Sequence, residues 1–142
     1  MNLNEAKQLL KKHGYICKKP VNESLWGIQL GAAYKLFNDA VNNNAFKDFY
    51  FSAVPSEEFN NLTLVKNEDL PEGVAEVRNA FVQGALGLKF SDERFYNYAL
   101  TVAQDIDANE DGPEHEQEFI DSLMTEFKQA YDLGKKMMDD FK

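Results

Sequence analysis

A chain of 142 residues with a formal net charge of −9 is long enough for one domain with its own core, and too acidic for a generic phosphate-binding face. Its two arginines, Arg78 and Arg94, leave little capacity for reading bases or phosphates. The single cysteine, Cys17, excludes an intrachain disulfide and a thiolate zinc site, while 44% hydrophobic and 27% charged residues is the balance of a folded globular chain.

Leu3, Ala6, Leu9 and Leu10 recur at helical spacing, with Lys11, Lys12 and His13 in the last turn and Gly14 as cap, so a first helix is predicted over residues 3 to 13. This opening has no apolar core or cleavage site of a signal peptide. A second helix begins near Asn22 or Ser24, carries Leu25, Trp26, Leu30, Ala33, Phe37, Ala40 and Val41 on one stripe, and ends at the run Asn42-Asn43-Asn44. Gln29, Lys35, Asn38 and Asp39 interrupt it too often for a membrane span. The expected setting is a reducing, cytoplasmic one.

Phe49-Tyr50-Phe51, within the segment from Ala45 to Val54, reads equally as a short buried helix or a strand, and Leu62 to Val65 as a further short strand. Pro71 opens a third helix with Val74, Val77, Phe81 and either Ala85 or Leu88 inward; Gly84 and Gly87 are expected to fray its end. Ser91 caps a fourth, with Phe95, Ala99, Val102, Ala103 and Ile106 as its stripe. A fifth runs from about Pro113 to Phe141, where Ile120, Leu123, Met124, Phe127, Ala130, Tyr131, Gly134, Met137, Met138 and Phe141 sustain an apolar three-four spacing. That stripe suits either a core helix or a seam for a second copy. The fold class expected is mainly α: one acidic helical domain, residues 1 to 142, a bundle of about five helices, with one or two short strands between residues 15 and 66 left open.

Charge is distributed unevenly. Residues 1 to 20 hold five lysines and one glutamate, a balance of +4 that leaves −13 for the rest. From Asp105 to Glu126 there are nine acids and no lysine or arginine. Two readings compete for this run. In one, Pro113 is a first helical residue, with Glu114 and Glu116 complementing the helix dipole and an acidic face turned outward. In the other, Asp107, Asn109, Asp111, Gly112 and Glu118 meet the calcium-loop pattern, with short oxygen side chains at alternate positions, a glycine at the sharp turn and a bidentate glutamate at the end.

Over about thirty residues this second pattern resembles an EF-hand. The resemblance implies Asp107, Asn109, Asp111 and Glu118 as side-chain ligands of Ca2+, with the Pro113 carbonyl in the backbone position. Glu114 stands where such loops carry a branched apolar residue, and no second loop is present to pair with it. Separately, the opening Met1-Asn2-Leu3-Asn4-Glu5-Ala6-Lys7-Gln8-Leu9-Leu10-Lys11-Lys12-His13-Gly14-Tyr15 resembles the start of small proteins encoded by bacteriophages and mobile elements. It implies such an origin and names no activity.

No phosphate-cradling glycine loop or Ser-His-Asp order is present, and no carboxylate pair stands out for catalysis. The expectation is therefore a non-enzymatic interaction protein without a cofactor, in a bacterial host's cytoplasm or a virion. Asp107, Asp111, Glu114, Glu116, Glu118 and Asp121 would offer an acidic face to a basic protein partner, through steering plus a hydrophobic anchor. Direct nucleic-acid or membrane binding is not expected.

Overall fold

The computed structural model describes residues 20–57, 61–109 and 116–141, and the side chains of 20–26 and 107–109 fall outside that description. The first predicted helix, residues 3 to 13, and Cys17 lie outside it as well. The protein is mainly helical. Four α-helices are described: α1 Pro20–Asn42, α2 Val74–Ala85, α3 Asp92–Asn109 and α4 Glu116–Phe141. Two 3-10 turns, Leu62–Leu64 and Asn67–Asp69, strap the connection between α1 and α2.

The ends of α1 and α2 are fixed by the same device. Asn44 adopts a left-handed φ of 62°, and the chain closes with Ala45 N donating to Ala40 O at 3.0 Å and Asn44 N to Val41 O at 2.9 Å. Gly87, at φ 71°, does the same for α2: Leu88 N donates to Gln83 O at 2.9 Å and Gly87 N to Gly84 O at 3.1 Å. Each is the paired-bond ending that needs a left-handed residue just past the helix, the conformation asparagine and glycine tolerate best.

The strand alternatives are not realised. Among the described residues there is no strand, only one isolated antiparallel bridge between Phe46 and Ala53. Residues 47 to 51 form turns, driven by Phe46, which is fully buried and pulls the loop back onto α1 and α2. Leu62 to Leu64 is a 3-10 turn because the Asn61 side chain accepts from Thr63 N at 2.9 Å and caps it, a bond that competes with a strand's ladder.

Two aromatic clusters fill the core. Phe37, Phe46 and Phe81 meet with centroids 5.3 to 6.2 Å apart, tying α1 and the following loop to α2. Phe90, Phe95 and Phe127 meet at 4.9 and 5.1 Å, tying α3 to α4. Of the α4 stripe, Ile120, Leu123, Phe127, Ala130, Gly134 and Met138 are buried in this chain's own core and Met124, Tyr131 and Met137 are half-buried against it, so the core alternative holds for these, while Phe141 at the end is 60% exposed. α2 and α4 cross closely at glycines. A Cβ on Gly84 would overlap the Tyr131 carbonyl oxygen, and one on Gly134 the Phe81 carbonyl oxygen. Gly84 therefore does not fray α2; it lies buried in the last turn, at the crossing. Gly31, in α1, has open space where its Cβ would be.

Arg78 is the other surprise inside. It is 1% exposed, with Nη1 donating to Leu62 O at 2.9 Å, Nη2 to Asn67 Oδ1 at 2.7 Å, and the guanidinium 4.9 Å from the Tyr34 ring centroid. Its Nε has no partner among the described residues. Burial lowers its pKa from the ordinary arginine value, and Tyr34 opposes that shift. The strap is also held from α1, where Asn38 Oδ1 accepts from Leu62 N at 2.9 Å.

Candidate interaction surface

The acidic run spans the α3–α4 junction. α3 continues through Asn109, so Asp107 and Asn109 stand on helical backbone; Asp111, Glu114, Pro113 and His115 lie outside the described residues. The run resumes in the first turns of α4 with Glu116, Glu118 and Asp121. Glu118 and Asp121 are exposed and about 60° apart around the helix, hence on one face, while Glu116 is half-buried. Asp121 accepts from Gln117 Nε2 at 2.8 Å one turn earlier, which steadies its carboxylate at the surface. Among the described residues no group of His, Cys, Asp or Glu side chains is placed to hold a metal ion.

Sequence reasoning missed what flanks this face. Phe119 and Glu126 lie on one side of the α4 stripe, about two turns apart, and both reach Tyr50 in the loop after α1. Phe119 meets the Tyr50 ring edge to face at 5.0 Å. Both Glu126 carboxylate oxygens accept from Tyr50 N, at 2.8 and 3.2 Å. Burial raises the Glu126 pKa above the ordinary carboxylate value, against the lowering effect of that backbone bond. The run of rings continues from Tyr50 to Phe51 at 4.9 Å and from Phe51 to Tyr98 at 5.8 Å.

Phe51 is seated by Gly73, whose φ is 83°. A Cβ there would overlap the Phe51 ring, so the glycine is required by backbone and by contact. Tyr98 ends the run. Its hydroxyl is buried with no partner among the described residues, and its pKa is pushed up to about 12 by burial, then by Glu72 and Glu76. The sequence signal for all this was the Phe49-Tyr50-Phe51 triplet, whose periodicity said nothing about which ring stays outside. In the structure Tyr50 is 55% exposed, while Phe49 and Phe51 are half-buried.

Elsewhere, an open groove of about 610 Å³ at the start of α3 is lined by Lys89, Ser91, Asp92, Glu93 and Arg94 among others. Its charges are mixed, and Arg94 is engaged by Glu76 at 3.0 Å. Neither histidine of the chain lies among the described residues, so no imidazole is placed in this groove. No described helix is long and apolar enough to cross a membrane. No protein-family model, no curated protein and no solved structure matches the chain.

Proposed function

We propose that this is a non-enzymatic interaction protein, encoded by a bacteriophage or mobile element, whose acidic surface binds a basic protein partner. A host-defence protein that it inhibits, by mimicking nucleic acid, and a virion component are two forms of that reading; cytoplasm or virion is the matching location. The observation that carries it is the cation-free acidic run from Asp105 to Glu126, whose described part sets Glu118 and Asp121 outward on one face of α4. Opposed charge on a partner speeds encounter and rejects acidic competitors.

The test is titration with a fluorescein-labelled peptide of alternating lysine and leucine. Wild type should bind it and ignore the counterpart with glutamate for lysine. Reversing Glu116, Glu118 and Asp121 together to lysine should weaken binding about tenfold or more. Undiminished affinity in that variant would sink the reading.

A single-loop calcium site is the second reading. What favours it is the placing of the helices: α3 closes at Asn109 and α4 opens at Glu116, near the boundaries of a helix-loop-helix calcium motif. Against it, helical backbone already occupies the third loop position, Asn109. Ligand binding to the folded state raises its stability, so this reading expects a higher melting temperature in calcium than in chelator, abolished by Glu118→Gln. The interaction reading expects the same melting temperature in both.

A further inference from the structure

We propose that the rings of Phe119, Tyr50 and Phe51 are the hydrophobic anchor of the acidic surface, and that their occupant is a lysine- or arginine-bearing segment of another protein. The inference rests on the acidic-surface reading and deepens it by naming where the partner seats.

Tyr50 supplies the exposed ring. It is 55% exposed and packed edge to face against Phe51 and Phe119, at 4.9 and 5.0 Å. Its backbone is pinned by Glu126, so the ring is held ready rather than ordered on binding. Leu64 and Ile28 are more exposed, at 81% and 65%, but an aliphatic side chain offers a cation no π face, and Phe141, 60% exposed, meets no other ring among the described residues to hold it in place. Tyrosine and arginine are both enriched at binding hot spots, which tend to face one another across an interface.

Charge selects the occupant. Phe119 lies within the run of nine acids, next to Glu118, and Glu126 closes that run beside Tyr50. At the far end of the rings, Glu72 lies near the Tyr98 hydroxyl, whereas Glu76 is already paired with Arg94. The Tyr50 loop adds Lys47 and Asp48, which offset each other. A cation over Tyr50 thus gains ring quadrupole and carboxylates together, whereas an acidic or purely apolar segment gains the rings alone. A second copy of this chain is a poor occupant, because residues 21 to 142 carry −13. Its own residues 1 to 20, at +4, are the competing occupant that the experiment separates.

The experiment uses the full chain and the same lysine-leucine peptide. Tyr50→Ala and Tyr50→Leu should each weaken binding about tenfold, and Tyr50→Phe should stay within about twofold of wild type. Leu64→Ala should change nothing. All four should melt close to wild type, since the Tyr50 backbone N–H that Glu126 holds is kept. If Tyr50→Ala and Tyr50→Leu bind like wild type while Glu118→Gln with Asp121→Asn loses affinity, the anchor is wrong and the acidic reading survives. Absence of binding by wild type overturns both. Replacing Lys7, Lys11, Lys12, Lys18 and Lys19 by glutamine should leave affinity unchanged; a tightening of about tenfold would assign the rings to the chain's own start and overturn the proposal. A dimer in sedimentation that Tyr50→Ala dissociates would overturn it in favour of a second copy.

Discussion

Arg78→Ala is expected to lose about 3–5 kcal/mol of stability, a large share of what a domain of this size holds in total. Two effects add. The Leu62 carbonyl and the Asn67 amide oxygen lose the guanidinium that donates to them, and the truncated side chain leaves a cavity at a site 1% exposed. One effect opposes them, since a buried charge is removed whose Nε was never satisfied among the described residues. Arg78→Met separates these terms, because it keeps most of the volume and removes the charge. If the bonds outweigh desolvation, Met should fall between Ala and wild type in urea midpoint. Arg78→Lys should also be weaker than wild type, as one ammonium cannot reach both oxygens in the planar geometry of the fork. Hydrogen exchange should show amides around Leu62 to Leu70 opening first, because the strap is what Arg78 holds. A Met variant as stable as wild type would mean that the bonds only offset the cost of burying the charge.

Gly84→Ala should lower stability by about 1–3 kcal/mol, although alanine is the better helix former by about 1 kcal/mol. The added Cβ meets backbone, the Tyr131 carbonyl, which cannot rotate away as a side chain can. Gly134→Ala should behave alike against the Phe81 carbonyl. Both substitutions push the same helices, α2 and α4, apart. Once one has moved them the second meets less resistance, so the double variant should cost less than the sum. Thermal melts of the four proteins read this directly. A Gly84→Ala variant melting at or above wild type would contradict the close crossing.

Helices were legible where one residue type decides the outcome locally. The Asn42-Asn43-Asn44 run marked the end of α1, since Asn44 takes the left-handed turn. The inward stripes of α2, α3 and α4 also came through at their true spacing, because period alone places an amphipathic helix. What stayed hidden depends on contacts distant in sequence. Nothing local distinguishes Gly84, a contact glycine, from Gly87, a cap; the difference lies in Tyr131 passing behind one of them. Nothing near Arg78 says that its guanidinium is spent inside on Leu62 and Asn67 rather than offered to solvent. The Phe49-Tyr50-Phe51 triplet failed as a strand because Phe46 folds the loop inward first. The acidic face was legible as composition, but its aromatic flank was not, since Tyr50, Phe119 and Glu126 meet only through the fold.

The central claim is that attraction between this acidic surface and a basic partner brings the two together and that Tyr50 seats the partner. Titrating the lysine-leucine peptide across a series of ionic strengths tests it most directly. Affinity should fall steadily as salt screens the carboxylates, down to a residual level in concentrated salt that Tyr50→Ala removes. Affinity that is indifferent to salt, or equal for the glutamate counterpart, would contradict the account.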